Sequence, residues 1–216
     1  MAQVNSFPLI YYSDYNFNAM IYSSAMTLRE ARKIYFELSH FPVDGGYEER
    51  WIKVKVWRIP IWLPNTNGRV KAVKLHDLHH VLTEYPTTWR GEAEISAWEI
   101  GSDGLRRYWA GWPLDLMNVA QGLIVNPRGV YRGFMRGRSS KNLYAEKFSD
   151  DLLNRSVGEF RERLRLNDPP KRPTAYDLML FIFWIFMSVV TYVVAVLLPV
   201  SPLIFLAWIL FRQVFE

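Results

Sequence analysis

Lys74-Leu75-His76-Asp77-Leu78-His79-His80-Val81-Leu82-Thr83, followed by Thr87-Thr88-Trp89-Arg90-Gly91-Glu92, is the stretch on which the reading of this chain turns. His76 and His80 are four apart, so a helix carries both imidazoles on one face, one turn from each other. Asp77 borders that face. Val81 and Leu82 continue the helix with apolar side chains. Tyr85-Pro86 ends it, because the residue before a proline is pushed out of the helical region. Thr87 or Thr88 can then cap a second helix with Glu92 in its first turns. Two antiparallel helices joined by so short a turn return Glu92 to the two histidines. Two neutral nitrogens and one or two carboxylate oxygens then converge, which is the donor set of a divalent-metal site. Asp77 is expected either as a further ligand, the favoured role, or as a base on metal-bound water. His79 points off the His76/His80 line and is expected on the helix surface.

His76-Asp77-Leu78-His79-His80, eleven residues and then Glu92 is similar to the HDxxH-x11-E pattern of the coenzyme Q (ubiquinone) biosynthesis Coq-four family. The flanks Val81-Leu82-Thr83, Pro86-Thr87, Gly91-Glu92 and Trp98-Glu99 also resemble that family. The match is dense from about Lys74 to Glu99, roughly an eighth of the chain. The resemblance implies metal ligands His76, Asp77, His80 and Glu92. Asp77 and Glu92 are the candidate catalytic carboxylates. It also implies a mainly helical protein that associates with membranes and holds long isoprenoid lipids near the metal. Family members act in ubiquinone synthesis, organising other enzymes and replacing a ring carboxylate by hydroxyl.

The chain has 216 residues, enough for one domain and an appendage. Lys and Arg number 26 against 21 Asp and Glu, a net charge of +5. Aromatics reach 16% with nine Trp, a residue that favours membrane interfaces. There is no cysteine, which excludes disulfides, thiolate zinc sites, iron–sulfur clusters and cysteine nucleophiles. Met1-Ala2-Gln3-Val4 has no basic and apolar leader pattern, so no cleaved signal peptide is expected.

The expected fold is mainly α: a helical domain over 1–166 with a short β insert, a linker at 167–173, and a membrane anchor at 174–216. Residues 1 to about 26 read as an aromatic, polar arm. Thr27-Leu28-Arg29-Glu30 is a capping box opening a helix to about Ser39. Ile52, Val54 and Val56 alternate with Lys53 and Lys55, so Trp51 to Leu63 reads as one or two edge strands, an insert that departs from the family pattern. Trp51, Trp57 and Trp62 are expected to pack, rather than to form a membrane-facing flap. Asn65-Thr66-Asn67-Gly68 reads as a turn. Helices are expected at about 70–84, 88–100 and 113–122, with another starting at Asn126-Pro127. Phe148 to Leu166 reads as one charged amphipathic helix.

Arg128, Arg132 and Arg136 share a helix face, extended by Arg138 and Lys141. Beside Val130, Tyr131, Phe134 and Met135, this basic stripe suits an anionic membrane surface or headgroup. Nucleic acid is not expected as a partner, since no binding motif accompanies the patch. Leu178 to Val200 carries no charge and is long enough for a bilayer core of about 30 Å. Leu203 to Phe211 is a second apolar stretch beyond Pro199-Val200-Ser201-Pro202. A transmembrane hairpin is expected, with a single span as the alternative. Lys171, Arg172 and Arg212 would lie on one side, placing the domain on the cytoplasmic face of an inner membrane, or the matrix face if mitochondrial.

The resulting expectation is a membrane-anchored enzyme using zinc, with iron(II) or magnesium as alternatives, on a prenylated quinone precursor. It would decarboxylate and hydroxylate the ring. The alternatives are a non-catalytic lipid-binding scaffold for other quinone-biosynthesis enzymes, and a metal-dependent lipid hydrolase.

Overall fold

The structure, a computed structural model, describes residues 21–56, 59–169 and 171–215. The expected N-terminal arm falls mostly on residues outside these. The described chain is mainly helical, with one two-stranded antiparallel sheet. Helix α1, Leu28–Leu38, starts at the expected capping box: Glu30 N donates to Thr27 Oγ1 and Thr27 N donates to Glu30 Oε2. Its buried face is Leu28, Ala31, Tyr35 and Phe36.

Strands β1, Trp51–Val56, and β2, Ile59–Pro64, form a hairpin with Trp51 opposite Pro64 and Lys55 opposite Pro60. Among the described residues no third strand joins the hairpin, so Pro60 costs no ladder bond there. Trp51 is 50% and Trp62 60% exposed, which corrects the expectation that they pack. A hairpin with no third layer has no core for them; Lys53 lies over the Trp62 ring instead. Trp57 lies outside the described residues.

Helix α2, Asn67–Thr83, begins where a turn was expected. Thr66 caps it by accepting from Arg69 N, so Asn67 and Gly68 are its first residues. From Leu75 onward α2 is enclosed on nearly all sides: Leu75, Leu78, Val81 and Leu82 are buried, and so are Asp77, His79 and His80. Glu84 takes a left-handed conformation, and the chain turns at Tyr85-Pro86. The α2 terminus would leave carbonyls unpaired. Arg161, buried, donates to Leu82 O, Val81 O and Tyr22 O and pairs with Glu84. A cation there also matches the helix dipole.

Helix α3, Trp89–Gly101, is capped by Thr88. Helix α4, Trp112–Val125, and helix α5, Pro127–Ser139, pack on it. Along α5, Gly129, Gly133 and Gly137 face α3 so closely that an added Cβ at Gly133 would lie 2.4 Å from Glu94 O, and at Gly137 2.4 Å from Trp98 O. This small-residue stripe, one position along from the arginine stripe, sets the helix separation.

The single amphipathic helix expected over 148–166 is two: α6, Asp150–Leu153, and α7, Val157–Arg163. The break is tertiary. Leu28 N donates to Arg155 O and Val157 N to Met26 O, so the backbone around Ser156 pairs with the start of α1.

Helix α8, Ala175–Phe215, is continuous, which corrects the expected hairpin. Thr174 and Asp177 form its capping box. Pro202 has no N–H for the Leu198 carbonyl, but Ser201 Oγ donates to that oxygen at 2.8 Å. Helices tolerate proline when a side chain satisfies the freed group in this way. Residues Ala175–Leu198 are long and apolar enough to cross a membrane, with mean hydropathy 2.6. Only 6% of that stretch is buried, unlike the core helix of a soluble domain.

Two apolar clusters result. One joins α1, α2 and the 143–166 region around Trp98, Tyr144 and Phe160. The other joins α3, α4 and α5, with Phe181, Trp184 and Ile185 of α8 packed against it. Helix α3 lies between them.

Candidate metal centre

The bend between α2 and α3 brings together three of the four residues expected to bind metal. His80 Nε2 lies 3.1 Å from His76 Nε2. Glu92 spans the pair, Oε1 at 3.3 Å from His80 Nε2 and Oε2 at 3.5 Å from His76 Nε2. One ligand atom from each lies within 4.8 Å of the others. Gly91 permits this. An added Cβ there would lie 1.9 Å from Pro86 O, so only glycine lets α3 start so close to the turn.

Outer hydrogen bonds fix the ring orientations. His80 Nδ1 lies 2.7 Å from Tyr85 O, an acceptor, so the proton sits on Nδ1 and the Nε2 lone pair faces inward. His76 Nδ1 lies 3.0 Å from Glu99 Oε1, which sets the same tautomer. Two inward lone pairs at this separation repel unless a cation or proton lies between them. The residues therefore fit a divalent ion: two imidazole nitrogens and a carboxylate, each ring anchored through its other nitrogen. His80 is 1% exposed, whereas the Glu92 side chain is 29% exposed, so access is from the glutamate side.

Without an ion, protons take over. Burial opposes charge on His76, but Glu99 and Glu92 outweigh it and hold the imidazole well above its ordinary range. Burial likewise raises Glu92, and His80 and His76 more than reverse this, bringing it down to about 2.

Asp77 is placed differently from the other expected ligands. Tyr47 Oη donates to its Oδ2 at 2.5 Å, and Tyr35 Oη to its Oδ1 at 3.5 Å. It lies outside the three-residue cluster. Tyr35 in turn stacks on the His80 ring at 5.4 Å between centroids, so Asp77 braces His80 from behind.

His79 is fully buried, correcting its expected surface position. Its Nδ1 meets Glu99 Oε1 at 2.5 Å and its Nε2 accepts from Leu143 N at 2.8 Å. An Nε2 that accepts carries no proton, so the ring is neutral, in keeping with burial, which lowers its pKa.

Glu99 had no role assigned from the sequence beyond its family-like flank. Its signal was spacing: seven residues after Glu92, it falls on the same face of a helix. Asp115, in the first turn of α4, carried no signal, since an acid there usually serves the helix dipole. Only tertiary packing places it beside Glu99. Burial and Glu99 push the Asp115 carboxyl well above its ordinary range. Burial acts the same way on Glu99, but His76 and His79 hold it well below.

The basic stripe is divided. Arg128, Arg132 and Lys141 are exposed, Arg132 lying 3.9 Å from Glu94. Arg136 donates to Thr83 O and covers the Tyr85 ring. Arg138 pairs with Asp177 of α8 at 2.7 Å. The last two therefore tie α5 to the metal bend and to α8.

The chain matches no family model, no curated protein and no solved structure.

Proposed function

We propose that this is a membrane-anchored, metal-dependent enzyme acting on the aromatic ring of a prenylated quinone precursor, replacing a ring carboxylate by hydroxyl. The reading rests on one observation: the inward Nε2 atoms of His76 and His80 and both oxygens of Glu92 converge in one helical bend. A divalent ion bound there, zinc being favoured by the nitrogen-rich set, would supply Lewis-acid polarisation of a ring carboxylate. The exchange of carboxylate for hydroxyl releases carbon dioxide and takes up one oxygen atom; where dioxygen supplies it, the second atom leaves as water with two electrons and two protons from an external reductant.

The chain's own residues divide the remaining work. Glu99 and Tyr85 O hold the two imidazoles in their ligating tautomers. Tyr35, braced by Asp77, closes the far side of His80. Glu92, the most exposed of the three, faces the side from which a ring would enter. Helix α3 carries Glu92 and Glu99 on one face and Ala97 and Ile100 on the other, toward Phe181 and Trp184. The site is therefore one helix thickness from the apolar α8, which would stay in the bilayer that a polyprenyl chain does not leave. Arg128 and Lys141, both exposed, and Arg132, exposed beside Glu94, would meet anionic headgroups.

The test uses the full chain purified in detergent. The expected result is that His80→Ala loses both bound metal and conversion of a prenylated hydroxybenzoate, followed by mass spectrometry of the ring product. Unchanged product formation by the metal-free variant would overturn the proposal. Normal metal and prenyl-lipid binding without turnover by the isolated wild type would favour a lipid-presenting scaffold.

A further inference from the structure

Behind the first cluster, Glu99 of α3 and Asp115 of α4 form a second one with His76 at its edge. One ligand atom from each of the three lies within 4.8 Å of the others. Glu99 is fully buried and Asp115 is 5% exposed. Their hydrogen bonding is lopsided. Glu99 Oε1 meets His76 Nδ1, His79 Nδ1 and Tyr144 Oη. Among the described residues no donor reaches Glu99 Oε2 or Asp115 Oδ2, and on that side the two carboxyl groups have only each other. Buried polar atoms are nearly always satisfied, and an orphaned carboxylate oxygen is among the costliest exceptions. Two such oxygens in one interhelical seam call for positive charge between them. The seam stays polar one turn further on, where Asn118 donates to Ser96 Oγ at 3.1 Å.

We propose that Glu99 Oε2 and Asp115 Oδ2 hold a second divalent cation beside the His76/His80/Glu92 site, making the centre binuclear. Hard carboxylate oxygens select an oxygen-preferring ion, Mn²⁺ or Mg²⁺, over zinc. His76 stands between the sites. Its Nε2 belongs to the first cluster, and its Nδ1–H holds Glu99 Oε1, leaving Oε2 without a donor. Tyr144 and His79 keep Glu99 from rotating, so the second site is preorganised. Unequal donor sets predict unequal occupants: a nitrogen-rich site for zinc and an oxygen-only pair for Mn²⁺.

The experiment counts ions. The full chain in detergent is stripped with chelator and dialysed against Zn²⁺, Mn²⁺ or both, and bound metal per chain is measured by elemental analysis. The expected wild-type result with both ions is one equivalent of each. Asp115→Asn should lose the manganese equivalent and keep zinc, and His80→Ala should do the reverse. The wild-type stoichiometry needs no variant, so a misfolded substitution does not blunt the test. A single equivalent under every condition overturns the proposal and points to a proton shared by Glu99 and Asp115. Loss of all metal in both variants overturns it too, since the clusters would then be one site. The enzyme reading fails separately: two bound ions without ring turnover sink only that reading, and turnover with one ion sinks only this one.

Discussion

The proton on His76 sets the pH behaviour of the metal-free protein. Burial disfavours the imidazolium, but Glu99 and Glu92 more than offset it, so the folded pKa lies well above the ordinary value. A raised folded pKa stabilises below the unfolded value near 6.5 and is lost as pH rises through the folded one. Glu92 has the opposite sign. Its folded pKa of about 2 lies below the ordinary 4.5, so its contribution is full above 4.5 and disappears as pH falls toward 2. The stripped chain should therefore be most stable in mildly acidic solution. Glu92→Gln should lower that maximum by on the order of 1 kcal/mol, discounted for the part-exposed carboxylate, and should flatten the acid limb. Denaturant midpoints across pH check this. Ion binding must displace the His76 proton, so metal affinity should instead rise with pH.

At the scale of the element, the bend between α2 and α3 is the device that makes a site out of two helices. Pro86 stops α2, Thr88 starts α3, and Gly91 lets the second helix begin against the Pro86 carbonyl. Gly91→Ala would place a methyl 1.9 Å from that oxygen, so α3 must move and carry Glu92 away from both imidazoles. The expected cost is about 1–3 kcal/mol of stability, as for other overpacked contacts, together with at least tenfold weaker zinc binding. Thermal unfolding and competition with a chelating dye measure the two effects. A stabilised variant with unchanged affinity would contradict this account of the bend.

For the whole molecule, the question is how α8 attaches. It is docked along its first turns and not merely tethered: Trp184 stacks on Trp112 at 4.9 Å, Phe181 meets Tyr131 and Phe134, and Asp177 pairs with Arg138. The outward residues, such as Ile182 and Phe186, are more than 60% exposed and apolar. The helix thus has a protein-facing side and another suited to lipid. Trp184→Ala should destabilise the detergent-solubilised chain by about 2–4 kcal/mol, while Phe186→Ala should change it by less than about 0.5 kcal/mol. Thermal unfolding in detergent separates the two. Equal effects would mean that α8 does not pack on the domain as described.

The sequence by itself determined what depends on neighbours along the chain. These features are the capping box at Thr27, the stop at Pro86, the four-residue spacing of His76 and His80, the return of Glu92, and an uncharged run long enough for a bilayer. Each follows from backbone geometry or local periodicity. What depends on contacts between distant segments was decided only in the tertiary structure. Asp77 engages tyrosines from α1 and the following loop, and His79 is buried because α2 is enclosed on nearly every side. Asp115 meets Glu99 because α4 closes on α3, where Gly122 lies against Ala93. Pro199 and Pro202 suggested a turn, but the helix continues, with the Ser201 hydroxyl donating to the Leu198 carbonyl that Pro202 leaves free.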